Sequence, residues 1–459
     1  MTVLQPIMAS PESVFLKIFF RELGAKRLRY AVMRNYDSLP ESAGGSDLDI
    51  LVAQEDVAAA VKVLLAAIAG VNGKVIGAVQ TWTFFEVYVM GFSNGQWWGL
   101  CVELYSSVSF KSAVPLVDLK ALYNRFELHN NISVIPRDIG NTIGYIKEIL
   151  AHGALRKDKP QYQNSASFLM SRSTPLFQEI FHPLGAGAAS DLAGVLNGTT
   201  PSEIASRAMN FHSSVLTEAL ARTPFRFLFL RVGHEFFRLR RFFRPPGAVI
   251  AILGVDGAGK STVIQAILPG LNAATHNAVF VLHLRPSLLP PLSRLKGRKE
   301  SPAGTIVEPH SSKPSGYLGS LCRLLYLSLD YVLGYWLIIR PRIAKRPALV
   351  IFDRYAYDMG LDPSRFRIGV PGWVAGWFAA LAPEPDLIIC LHGNPEIICA
   401  RKQELPLEET RRQVEALRAF AARKKGAILI ATDSSVEETR DQVLQALGDV
   451  LRTRTGLQP

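Results

Sequence analysis

Nine consecutive residues, Gly254-Val255-Asp256-Gly257-Ala258-Gly259-Lys260-Ser261-Thr262, carry the groups needed to hold a polyphosphate. Gly254, Gly257 and Gly259 free the backbone to curl so that successive N–H groups face an anion. Lys260 reaches the terminal phosphates, and the Ser261 hydroxyl, with Thr262 beside it, suits Mg²⁺. The spacing fits G-x-x-x-x-G-K-[ST], and its surroundings fit too: the apolar run 248–253 reads as a strand and 263–268 as the start of a helix. A glycine-rich turn without a ligand would leave the Lys-Ser-Thr triplet unexplained. Nucleotide binding is therefore expected.

A second group of acids stands near the N-terminus. In the β-like run 47–52, alternation puts Asp47 and Asp49 on one face, roughly 6.5 Å apart, close enough to share a divalent cation and with it a triphosphate. Glu103, in the β-like run 97–104, offers a third acid. This layout resembles the nucleotidyltransferase superfamily, whose pattern is a strand, a Gly/Ser turn, an acid-x-acid strand and a third acid on a neighbouring strand. In that superfamily the Gly-Ser pair stands well before the acids, a place held here by Arg34-Asn35, whereas Gly44-Gly45-Ser46 abuts Asp47 directly. Without a cation, the same spacing reads as a solvated strand end.

Residues 347–352 read as a buried parallel strand that delivers Asp353-Arg354-Tyr355 at its C-terminal end, where open α/β sheets place their ligands. An acid there orients Mg²⁺, and an arginine clamps an acceptor's anionic group. With the phosphate loop, the strand at 386–391, Asn394-Pro395-Glu396 and Arg401, these residues resemble the thymidylate kinase family of nucleoside monophosphate kinases, from residue 248 to about 451. The resemblance implies a five-stranded parallel sheet, ATP with Mg²⁺, and phosphoryl transfer to an acceptor. Lys260 and Ser261 would then serve ATP and the metal, Asp256 would face an acceptor hydroxyl, Arg354 would hold the acceptor, and Arg401 would reach the moving phosphate from a lid. Where thymidylate kinases carry Arg-Glu-Pro and a glycine pair, this chain has Leu284-Arg285-Pro286-Ser287, so a different acceptor is expected, a nucleoside monophosphate, sugar or sugar phosphate. A phosphate acceptor demands no general base; a sugar hydroxyl would require Asp256 or Asp353 to take its proton. The pairing of the two halves also resembles chains that serve bacterial surface-polysaccharide synthesis.

At 459 residues with 20% charged and 48% hydrophobic side chains, the chain can bury several cores. The expected fold is α/β and multidomain: an α+β nucleotidyltransferase-like domain at 1–135, a helical connector at 136–245, and a P-loop kinase domain with a parallel sheet at 246–459. The connector ends in a run, 225–244, that interleaves arginine with phenylalanine before Pro245-Pro246-Gly247 breaks it. Three readings fit that run: a helix with a core face and a snorkelling basic face, a helix lying on an anionic membrane surface, or a stacking platform for single-stranded nucleic acid.

A net charge of +12 and a pI near 9.5 point to anionic partners without choosing among them. Cys101, Cys322, Cys390 and Cys399 form no C-x-x-C pair or metal spacing and read as buried thiols in a reducing compartment. Met1-Thr2-Val3 lacks a basic leader, and 14–20 reads as amphipathic helix. The run 319–339 is apolar, but Arg323 and Asp330 within it favour a buried helix lining the pocket over a membrane span. The Pro/Ser-rich stretch 286–314 reads as a mobile loop over the site, and 408–423 as a solvated charged helix. The expected protein is a cytoplasmic ATP-dependent phosphotransferase that can sit at the inner membrane face. Nucleic acid is disfavoured as a partner and a homodimer is open. The alternative is a nucleotide-responsive binding protein that docks on membrane or nucleic acid through its basic aromatic helix.

Overall fold

The computed structural model describes residues 10–157, 159–172, 174–291, 314–402 and 405–457. Met1-Thr2-Val3, most of the stretch 286–314, and Gln403-Glu404 of the expected lid lie outside the described residues. The chain forms two compact units, Met1–Lys74 with Ala78–Arg240 and Leu457–Pro459, and Val75–Gly77 with Arg241–Gly456. Both are mixed α/β, and one contains a parallel sheet.

The first unit is built on β1 (Tyr30–Val32), β2 (Leu48–Val52), β3 (Lys74–Gln80), β4 (Phe84–Ser93), β5 (Gln96–Tyr105), β8 (Glu127–His129) and β9 (Ile132–Val134), in the order β3-β4-β5-β2-β1-β9-β8. The short pair β6 (Ser109–Phe110) and β7 (Val114–Pro115) stands apart. Every residue of β2 is buried, so Asp49 enters a dry layer between Leu48 and Ile50. The helices of the expected connector share a core with this unit: Ala31 and Leu51 cluster with Ile143, Tyr162, Phe177 and Phe211.

The helix Pro224–Phe243 departs from the core-facing reading of its sequence. It has no buried residue, and Phe225, Val232 and Phe243 stand in solvent. It touches the first unit through Phe227, against the core, and through Phe229 and Phe237, whose rings lie 5.9 Å and 5.6 Å from that of Trp82, where Gly233 leaves room for the indole. The helix carries more apolar residues than one face can hold, so a second apolar face is left over.

In the second unit, β10 (Ala248–Gly254), β11 (Val279–His283), β12 (Leu349–Asp353), β13 (Leu387–His392) and β14 (Ala427–Ala431) form a parallel sheet in the order β11-β12-β10-β13-β14. β10 is central and wholly buried, as its unbroken apolar run dictates. After β10 the chain goes to the edge strand β11 and back inward to β12, then crosses to β13 and β14 on the other side, so its direction reverses beside β10 and the crevice at the C-terminal end of β10 is the ligand position of such sheets.

One helical stretch among the described residues, Tyr317–Lys345, is long and apolar enough to cross a membrane by length and composition. Leu324, Leu327 and Tyr331 on it belong to the core of the second unit. Asp330 on it is fully buried and takes hydrogen bonds from Arg285 Nη1 at 3.0 Å and from the Leu289 N–H at 2.6 Å.

Candidate active site

β10 feeds the phosphate loop directly. Gly257 (φ +84°) and Gly259 (φ +81°) occupy the left-handed region, and at Gly257 an added Cβ would stand 2.9 Å from Ile398 O, so glycine is required there. Gly259 caps the helix Lys260–Thr275, whose first residues, Lys260, Ser261 and Thr262, line a cleft of about 630 Å³ together with Asp256, Gly257 and Gly259. Gly254 stands behind that wall. Its missing Cβ leaves room for Leu391 O, and its carbonyl accepts from Lys260 Nζ at 2.8 Å.

β12 supplies the opposite wall. Asp353 ends the strand in register with His283 at the end of β11, and His283 Nδ1 lies 3.3 Å from Asp353 Oδ2. Asp353 Oδ1 is buried without a partner, an orphaned acceptor on the cleft wall that suits a cation. Arg354 is held at φ +74° and is 4% exposed; it donates to Asp256 and lies 3.5 Å from Asp358. Arg365 donates to the other Asp256 oxygen and, through Nε, to Asp362 at 3.2 Å. On the third wall both terminal nitrogens of Arg401 donate to Thr432 O at 3.2 Å.

The structure thus brings together Asp256, Gly257, Gly259, Lys260, Ser261, Thr262, Asp353, Arg354 and Arg401 on one cleft. Sequence reasoning missed Arg365, Lys402 and His283, which line it too. His283 had a readable signal, the end of a strand neighbouring Asp353. Arg365 had none, since its meeting with Asp256 spans 109 residues. The helix at 317–334, expected at the pocket, contributes no residue to this wall among the described residues.

Five lysines and arginines face two acids here, a field suited to a polyphosphate. Burial works against the charge of Asp256, but Arg354, Lys260 and Arg365 outweigh it and hold its carboxyl below the ordinary range. Asp353 is likewise held low against burial by His283 and Lys260. Lys260 is pushed down to about 8, by burial first and Arg354 second. A phosphate arriving beside Lys260 restores its proton, so nucleotide binding should take up a proton at about pH 9, above the depressed value, and little well below it. Titration calorimetry in buffers of different ionisation heat measures this. Buffer-independent heats at pH 9 would contradict it.

In the first unit, Asp49 on β2 stands opposite Glu103 on β5, which stands opposite Glu86 on β4. Glu86 was not foreseen, because its place depends on register. Asp47 precedes β2 and is half-buried. Arg34 Nε donates to Asp49 Oδ2 at 2.5 Å, and Arg34 Nη1 to the Tyr162 hydroxyl at 3.1 Å. Burial opposes the charge of Asp49, yet Arg34 and Lys147 hold its carboxyl low, while burial and Asp49 push Glu103 well up. Tyr88 and Tyr105 donate to Glu86 and Glu103. One donor atom each from Glu86, Cys101 and Glu103 lie within 4.8 Å of one another. These donors are engaged with each other and with tyrosines, and Arg34 takes one Asp49 oxygen, while the other, Oδ1, is buried with no hydrogen-bond partner among the described residues. Cys101 and Cys390 are buried as expected, whereas Cys322 is exposed.

Neither a family model nor a curated protein matches this chain. Among solved structures, a thymidylate kinase from Ehrlichia chaffeensis is similar to 44% of this chain over 100% of its own length, at 16% identity and a TM-score of 0.32.

Proposed function

We propose that the chain is an ATP- and Mg²⁺-dependent phosphotransferase whose small-molecule acceptor presents an anionic group, a phosphate or a carboxylate, as a nucleoside monophosphate or sugar phosphate does. The observation that carries this reading is the Asp256–Arg354–Arg365 cluster standing beside Lys260 in one cleft. Gly257, Gly259, Lys260, Ser261 and Thr262 would hold the nucleotide phosphates. Ser261 and the free oxygen of Asp353 would hold Mg²⁺, which when bound neutralises phosphate charge. Arg354 and Arg365 would orient the acceptor's anion, with Asp256 keeping the two guanidiniums in place. Arg401, fixed by Thr432, would face the charge that develops on the moving phosphoryl group.

Asp256 and Asp353 are both held ionised below the ordinary carboxylate range, which makes them weak proton acceptors. A site built this way favours an acceptor that is already deprotonated over a neutral hydroxyl. The test is transfer from γ-labelled ATP to a panel of phosphorylated, carboxylated and neutral sugars and nucleosides. Transfer confined to anionic members is expected. Transfer to neutral members alone would overturn the acceptor class, and neither transfer nor ATP turnover with any member would overturn the phosphotransferase reading.

A further inference from the structure

The helix Pro224–Phe243 presents an apolar stripe that no part of the first unit covers. Phe225, Leu228, Val232, Phe236, Leu239 and Phe243 recur every three or four residues and are 54% to 88% exposed. At 3.6 residues per turn they fall within a band roughly 100° wide, the width of a helix's buried face. On this helix that band points to solvent, while Phe227, Phe229 and Phe237 hold the helix against the first unit.

Charge decides what the stripe meets. The helix carries five arginines against one glutamate, and Glu235 is shared between Arg231 and Arg238. Arg226, Arg240 and the following Arg244 border the stripe on one side, and among the described residues none of the three pairs with a carboxylate. A second copy packed on the same stripe would bring these arginines face to face. Single-stranded nucleic acid stacks in grooves that wall its bases, and a convex helix face offers none. An anionic bilayer satisfies both features at once, since it receives the rings at the acyl boundary and the guanidiniums at the headgroups.

We propose that this helix lies flat on a membrane surface containing anionic phospholipid and docks the protein there without spanning it. The proposal does not depend on the reaction assigned to the cleft. Its test is cosedimentation of the full chain with vesicles of phosphatidylcholine, with and without phosphatidylglycerol. Retention on the anionic vesicles alone is expected, with loss between about 0.1 M and about 1 M salt. Replacing Val232 and Leu239 together by aspartate should lower retention at least about tenfold, as should R226E with R240E, with helical content unchanged. Equal retention of V232D/L239D and the parent would overturn the proposal. So would either of two other results: the same variant releasing a bound single-stranded oligonucleotide while vesicles are not retained, or a dimer seen by light scattering that V232D/L239D dissolves without vesicle binding.

Discussion

Replacing Lys260 with alanine is expected to lower phosphoryl transfer by roughly 100- to 1,000-fold, the usual effect of removing one preorganised charge from a dry site, while the chain stays folded. The ammonium lies 3.9 Å from Asp256 and donates to Gly254 O and Val255 O, all three of them in the phosphate loop itself. Its effect on stability runs the other way. A lysine pushed down from 10.5 to about 8 is held charged at a cost in the folded chain, on the order of 3 kcal/mol below pH 8, and that cost disappears as pH rises from about 8 to about 10.5. Lys260→Ala should therefore raise the melting temperature of the ligand-free protein at pH 7, and the gain should shrink toward pH 10. Thermal melts beside a transfer assay check both halves. Transfer near the parental rate would end the phosphotransferase assignment, and a lower melting temperature at pH 7 would show that Lys260 holds the fold.

The contrast between residues that the sequence betrays and those it hides follows from range. The phosphate loop was legible because its requirements are local: positive φ at Gly257 and Gly259, and a strand before and helix after within a few residues. Asp353 and Arg354 were legible because a buried apolar run ends there. Arg365 sits in a single turn, Pro363–Phe366, with no periodicity to mark it, and Glu86 acquires its meaning only from pairing opposite Glu103. The D-x-D spacing was visible, but the partner of Asp49 was not, since Arg34 reaches it from the loop that follows β1, 15 residues earlier. The basic aromatic helix teaches a different lesson. Spacing of three and four announces an apolar face and is silent on what covers it, so a stripe facing the core and a stripe facing solvent read alike.

Arg354 has two roles that substitution can separate. As the acceptor's clamp, its loss should raise the acceptor's KM and lower kcat, by roughly 30- to 1,000-fold in kcat/KM, with ATP affinity little changed. As the buried partner of Asp358, its loss should also destabilise the chain by about 3 to 5 kcal/mol, the cost of leaving a buried charge unpaired. Burial already raises the Asp358 carboxyl even with Arg354 beside it. In Arg354→Ala it rises further, and a raised carboxyl penalises the fold above its unfolded value of about 3.8, increasingly so up to its folded value. The variant should thus be closer to the parent in stability at pH 5 than at pH 8. Adding Asp358→Asn removes the orphaned charge and should restore most of the stability while leaving transfer to the acceptor as weak as in Arg354→Ala. Arg365→Ala, which leaves the Arg354–Asp358 pair intact, should weaken acceptor use with a smaller loss of stability. If the double variant Arg354→Ala with Asp358→Asn regained both stability and near-parental kcat/KM, Arg354 would be a core cation and the acceptor clamp would have to be sought in Arg365 and Lys402.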